Sequence, residues 1–253
     1  MTHVTDYFAS FDGTRLSYHT EGEGRPVLLL HGLFSSAQMN WIKWGHGTRL
    51  AAAGFRAIML DFRVHGMSDA PREPGAYPSG VLVRDVAALA EHLGLEPGGF
   101  DLVGFSLGAR TAIHAVGYGV LEPRRLAICG MGVAGLAEWE RRADHFKRVI
   151  DEFDTIKPGD PAFTARTFLK SQGVDRVAAR LLLDAMEDFD LARLSEIKMP
   201  TALICGIEDE DNGSAEDLAA LLPDARYIAV PGGHLNSVTK PEFGEAIAGF
   251  LAA

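Results

Sequence analysis

The chain is 253 residues long, 47% hydrophobic and 23% charged, with a formal net charge of −10. That length suits one large α/β domain with a sizeable core, and the acidity, unbroken by any Lys/Arg cluster, argues against nucleic acid or an anionic membrane surface as a partner. Met1-Thr2-His3-Val4-Thr5-Asp6 carries neither a basic nor an apolar signal region, no apolar stretch is long enough for a bilayer, and Cys129 and Cys205 each lie in an apolar run, so a reducing cytoplasm is the expected location.

Taken in chain order, residues 7–21 alternate around Asp12-Gly13 and predict an N-terminal hairpin. Continuous apolar runs follow at 27–30, 57–60, 100–103, 126–129, 201–205 and 225–230, the pattern of parallel strands buried on both faces. Helical spacing separates most of them, over 41–53, 79–93, 107–116, 215–222 and 241–251. The last of these opens with Pro241 and Glu242, residue types that suit a first helical turn. Alternating strands and helices predict an open, mostly parallel sheet covered on both sides.

The alternation lapses between Gly130 and Lys198. Trp139, Ala143, Phe146, Ile150 and Phe153 recur at helical spacing, and so do Val177, Leu181, Leu182, Met186 and Phe189. Between them Asp160-Pro161 reads as an N-cap followed by a first-turn proline. The division expected is a core of residues 1–130 and 198–253 with an all-helical lid, 131–197, inserted where insertions commonly cover binding crevices. Helices that merely thicken the flank are the plainer alternative. Gly130-Met131-Gly132-Val133-Ala134-Gly135 also matches a dinucleotide-binding glycine pattern, with Asp151 and Glu152 about twenty residues on. Those acids fall inside a helical pattern with no second strand before them. The small residues are therefore expected only to let the chain leave the sheet, and no nucleotide, metal or other cofactor is expected.

Gly104-Phe105-Ser106-Leu107-Gly108 follows directly on the run at 100–103 and precedes a helix. A serine in such a turn has its hydroxyl pushed out of the sheet edge, and the glycines keep neighbouring backbones clear. The hydroxyl needs a base. Of nine histidines, His234 is the candidate, because it follows the last strand run across Pro231-Gly232-Gly233. The base in turn needs an acid, and the loop after 201–205 reads Gly206-Ile207-Glu208-Asp209-Glu210-Asp211. Asp209, just past the strand end, is the candidate, with Asp211 the alternative. The order nucleophile, acid, base is a known permutation on this kind of sheet. For the oxyanion, two backbone amides are candidates: Leu107, at the start of the helix after Ser106, and Leu33, in His31-Gly32-Leu33-Phe34-Ser35-Ser36. His31 itself is expected to be a structural, hydrogen-bonding residue.

With Asp61-Phe62-Arg63-Val64-His65-Gly66-Met67-Ser68-Asp69, these motifs make the chain resemble an α/β-hydrolase fold serine hydrolase over essentially its whole length. The resemblance implies an eight-stranded, mostly parallel sheet flanked by helices. It also implies cleavage of a small or medium carboxylic ester through an acyl-enzyme on Ser106. One departure is Val64, where the family usually has glycine; a valine resists positive φ, so that turn is expected to differ. Haloalkane dehalogenases and epoxide hydrolases resemble this fold but carry aspartate at the elbow, and the serine argues against them. Carbon–carbon hydrolases of dienone acids, enol-lactonases and cofactor-free perhydrolases share the triad and stand as alternatives. So does a small-ligand receptor that keeps the triad and turns over slowly. A carboxylate-bearing substrate would want a buried cation, for which Arg110 and Arg63 are nearest in sequence. Phe34, Trp41, Phe105, Met131 and Trp139 are the candidate lining of a mainly apolar pocket for a small-molecule substrate; oligomeric state is not legible.

Overall fold

A computed structural model describes residues 3–137 and 139–253. Its eight strands are β1 (Val4–Ala9), β2 (Arg15–Glu21), β3 (Arg25–Leu30), β4 (Phe55–Leu60), β5 (Asp101–Phe105), β6 (Arg125–Cys129), β7 (Thr201–Gly206) and β8 (Ala225–Val230). They form one sheet in the order β1-β2-β4-β3-β5-β6-β7-β8. The first two are the arms of the expected hairpin, turning at Gly13 with φ 83°. β2 also runs antiparallel to β4, and every pair from β4 to β8 is parallel.

Successive residues of the central strands enter opposite apolar layers, as the two-residue period of a strand requires. Leu28, Leu30, Ile58, Leu60, Leu102, Ile128 and Leu203 face one layer. Their neighbours Val27, Leu29, Ala57, Met59, Val103, Ala127 and Ile204 face the other. Both faces are covered, which is why these strands read as unbroken apolar runs.

The helices are α1 (His46–Ala52), α2 (Val81–His92), α3 (Leu107–Gly117), α4 (Ala134–Ala137), α5 (Trp139–Asp151), α6 (Phe163–Ser171), α7 (Arg176–Asp184), α8 (Ala215–Ala220), α9 (His234–Ser237) and α10 (Pro241–Ala252). Three expected helices are shorter than their patterns, α8 by ending at Ala220 rather than at 222. The segment 41–53 is interrupted by Gly45 in a left-handed conformation (φ 72°), leaving one π-helical turn at Gln38–Ile42 and then α1. Gly80, also left-handed, delays the start of α2 to Val81. Between β6 and β7 the chain forms α4–α7. Here α6 begins at Phe163 rather than at Pro161; the Asp160 carboxylate accepts the Ala162 amide at 2.8 Å and grips Arg148 at 2.9 and 2.7 Å. α7 ends at Asp184, so Met186 and Phe189 lie beyond it, and the Phe189 ring packs against His114 of α3 at 5.1 Å.

The sheet order positions the site. β3 and β5 are adjacent, but α1, which follows β3, packs through Leu50 into one layer, whereas α3, which follows β5, packs through Ala112 and Ile113 into the other. The loops leaving the two strands therefore diverge and open a crevice at the carboxyl edge of the sheet. No helix among the described residues is long and apolar enough to cross a membrane.

Candidate active site

Ser106 caps α3 with φ 53° and ψ −111°, a strained conformation for a residue with a side chain. Its own amide donates to the Cys129 carbonyl at 2.9 Å, anchoring the turn on β6. The glycines on either side leave no choice of residue: a Cβ on Gly104 would lie 2.3 Å from the Gly108 oxygen, and one on Gly108 would lie 2.1 Å from the Leu30 oxygen. The helix can thus press onto the sheet while the hydroxyl stays half-exposed at the crevice.

His234 Nε2 lies 2.9 Å from Ser106 Oγ, and His234 Nδ1 lies 2.9 Å from Asp209 Oδ2. Of the two acids considered, Asp209 reaches the imidazole; Asp211 is exposed and instead donates its backbone amide to Asp209 Oδ1 at 3.2 Å. Burial pushes the Asp209 carboxyl up, but the hydrogen bond and charge of His234, the Asp211 amide and Cys205 outweigh it and hold the group below its ordinary value. A carboxylate there accepts, so Nδ1 carries the ring proton and Nε2 is free to accept from the serine. Two supports of this line were not legible in the sequence. The Cys205 thiol, pushed up to about 12 mainly by burial, is held as a donor to Asp209 Oδ2 at 3.4 Å. The Phe105 ring stacks behind the imidazole at 5.2 Å and 25°.

Neither the Leu33 nor the Leu107 amide has a hydrogen-bond partner in the chain among the described residues. Leu107 is the first residue of α3, whose leading amides have no intrahelical acceptor. Leu33 sits between Gly32 and Phe34, the latter left-handed at φ 57°. The expectation that valine would avoid positive φ at residue 64 is corrected: Val64 takes φ 77°, its amide bonded to the Asp69 oxygen at 3.0 Å. Phe34, Val64 and Ser106 are the left-handed non-glycine residues of the described chain, and they follow the neighbouring strands β3, β4 and β5.

The alpha/beta hydrolase family model matches residues 27–244. The chain belongs to the alpha/beta hydrolase family. A soluble epoxide hydrolase of Corynebacterium sp. (strain C12) is 30% identical over 113 residues, 45% of this chain and 37% of that protein. The chain spans about a third of the length of the epoxide hydrolases it matches. A putative 2-succinyl-6-hydroxy-2,4-cyclohexadiene-1-carboxylate synthase of Bacillus subtilis (strain 168) is 25% identical over 274 aligned positions that cover 96% of each protein. Among solved structures, a hydrolase from Pseudomonas aeruginosa PA01 shares the fold with a TM-score of 0.76 at 24% identity, over 98% of each chain.

In this α/β hydrolase the candidate pocket residues do not gather in one place. Trp41 is corrected: it is fully buried in the layer of α1 and α10, stacked on Phe243 at 6.3 Å, and does not reach the crevice. Phe105 lies under the imidazole, as described. Phe34, Met131 and Trp139 are all buried in the opposite layer, with the Phe34 ring edge-on to Phe146 of α5 at 5.8 Å.

The two candidate cations are both engaged elsewhere. Arg63 is fully buried and forks onto Asp85 at 2.6 Å through both Nε and Nη2. Arg110 donates to the carbonyls of Gly135 at 2.5 Å and Leu136 at 3.0 Å, and to that of Glu187. The glycine pattern at 130–135 serves packing. A Cβ on Gly132 would meet the Gly213 oxygen at 2.2 Å, and buried Asn212 ties this turn to the loop after β7 by donating to the Gly130 oxygen at 2.8 Å. Asp151, the acid of that motif, faces Arg180 on α7. Asp209, Asp211 and His234 bring potential metal-ligand atoms within 4.8 Å of one another, but both imidazole nitrogens are already committed to Asp209 and Ser106.

Proposed function

We propose that this protein is a serine hydrolase that cleaves a small or medium carboxylic ester through an acyl-enzyme on Ser106. The observation that carries the reading is the unbroken line Ser106 Oγ–His234–Asp209, 2.9 Å at each step, beside two uncommitted amides. His234 takes the serine proton as Oγ attacks the carbonyl carbon, and the Leu33 and Leu107 amides receive the resulting oxyanion. The imidazolium, held by Asp209, returns the proton to the alcohol leaving group. Water then attacks the acyl carbon, giving a proton to the same imidazole, which passes it to Ser106 Oγ as the acyl–Oγ bond breaks and the acid leaves. Residues 131–197 serve as the lid over this crevice, with Phe146 of α5 against Phe34 supporting an apolar acyl site.

The internal engagement of Arg63 and Arg110 favours a neutral substrate over a carboxylate-bearing one. It weighs against carbon–carbon hydrolysis of dienone acids and against the chemistry named for the Bacillus subtilis relative. Enol-lactone and peracid reactions would use the same three residues, and a panel of such substrates separates them from esters. The epoxide hydrolase relatives are similar in part of the chain, but the elbow here holds serine.

The test is covalent labelling with a fluorophosphonate probe together with turnover of p-nitrophenyl butyrate. Ser106→Ala is expected to lose the label and to lower kcat at least about 10⁴-fold. An unlabelled wild type, or a fully active Ser106→Ala, overturns the mechanism. Turnover far below about 1 s⁻¹ with a ligand-dependent rise in Tm favours the receptor alternative instead.

A further inference from the structure

The loops after β3 and β4 exchange hydrogen bonds through two buried histidines. His31, on the first loop, accepts the Phe62 amide at Nε2 (3.1 Å), and its Nδ1 lies 2.8 Å from the Gly32 oxygen. His65, on the second, accepts the Phe34 amide at Nε2 (3.0 Å), and its Nδ1 lies 2.9 Å from the Arg63 oxygen. A backbone amide can only donate, so both Nε2 atoms are bare and both Nδ1 atoms carry the proton. Each loop thus receives in its histidine an amide of the other, and the two rings meet edge to face at 5.1 Å.

One of these contacts bears directly on the oxyanion. The Gly32 carbonyl that takes the His31 proton belongs to the same peptide unit as the Leu33 N–H. That unit is planar, so holding its oxygen sets the direction of its hydrogen. Proton donation to the oxygen also polarises the amide. Asn40 Oδ1 holds the Gly32 amide just before it at 2.8 Å, and His65 holds the Phe34 amide just after it. The backbone being held is strained, with Phe34 and Val64 both left-handed, and such conformations persist only where the surroundings over-determine them.

We infer that His31 and His65 are positioning residues, a reciprocal brace that aims the Leu33 amide at the developing oxyanion. This rests on the serine-hydrolase reading above. Burial lowers the proton affinity of both rings, that of His65 to about 3, so both stay neutral at working pH and keep their acceptors.

The experiment compares two amide replacements at His65. His65→Asn approximates the Nδ1 donor but offers Phe34 no acceptor; His65→Gln restores one. His65→Asn is expected to lower kcat for p-nitrophenyl butyrate about 10- to 100-fold with KM nearly unmoved. It should weaken a trifluoromethyl ketone analogue, which draws on the same oxyanion contacts, by the same factor, and His65→Gln should recover most of both losses. A wild-type kcat in His65→Asn, or a loss of kcat with no matching loss of analogue affinity, overturns the brace. A measurement on the wild type guards against a variant that does not fold: ¹⁵N NMR at pH 7 should find both rings neutral with the proton on Nδ1. A cationic ring, or a proton on Nε2, also overturns it. Failure of the parent reading looks different: a wild type that no fluorophosphonate labels removes the reaction and this inference together, whereas a labelled wild type beside a normal His65→Asn removes only the brace.

Discussion

Around the loops after β3 and β4 lie two clusters of buried, fully engaged charge. The Arg63 and Asp85 side chains are both 0% exposed, and the Asp61 carboxylate takes the Ala37 and Met67 amides, the Ser17 hydroxyl and the His19 ring. Across α4–α7 the ion pairs lie at the surface. Arg148 meets Glu152 and Asp160, Arg176 meets Asp154, and Arg180 meets Asp151 and Asp184. A buried pair cannot shift without stranding a charge, whereas a surface pair exchanges its partner for water at small cost. The molecule keeps its least adjustable electrostatics at the loops after β3 and β4 and its most adjustable on the helices between β6 and β7.

The sharpest way to break this contrast is Arg63→Met. It leaves Asp85 buried and unpaired, and the expected loss is about 3–5 kcal/mol by urea unfolding, partly recovered in an Arg63→Met/Asp85→Leu double variant. A loss below about 1 kcal/mol would mean that the edge is no more rigid than the helices.

The second effect is on pH. The unfolded chain protonates His65 near 6.5, but the folded protein resists until about 3. Stability must therefore fall as pH drops through that window, by about 1.4 kcal/mol per pH unit for each such histidine. At pH 5 His65 accounts for about 2 kcal/mol, so His65→Gln should lose about that much less than wild type between pH 7.5 and 5.0. Equal losses would refute the assignment.

On the other side of the contrast, Arg180→Ala should lose less than about 1 kcal/mol, and that loss should shrink further in 1 M salt. The smallest effect is expected at Val64→Gly. Relief of about 1–3 kcal/mol of left-handed strain offsets the lost burial and the added chain entropy, so the net change should stay within about 1 kcal/mol. Val86→Gly, in the middle of α2 and fully buried, is the control and should lose about 3 kcal/mol or more.

The strands were legible because a strand buried on both faces must be apolar throughout, and all six runs appear within two residues of their expected ends. Ser106, His234 and Asp209 were legible because each follows its own strand within a few residues. The brace was not. His31 and His65 act on backbone amides 31 residues away, and a side chain bonded to a distant backbone leaves no spacing or residue-type signature. Trp41 was misplaced for a related reason: an aromatic on a single helical turn can drop into either layer, and the sheet order decides which. α6 starts two residues past the expected Pro161, and with only Leu169 of its nine residues buried its apolar stripe is too thin to fix its extent by period. Val64 reversed a sound local rule, since the Asp69 carbonyl and the packed edge impose a backbone that valine alone would refuse.

Arg110 gathers the carbonyls of Gly135, Leu136 and Glu187 on one guanidinium. The chain therefore leaves for its helical excursion and returns from it at nearly the same point, fastened to the helix that follows Ser106. That makes the excursion an exchangeable part. A foreign helical hairpin grafted between residues 137 and 187 has to match the spacing of these carbonyls and the buried faces of α5 and α7, while Ser106, Asp209 and His234 stay outside the transplanted stretch.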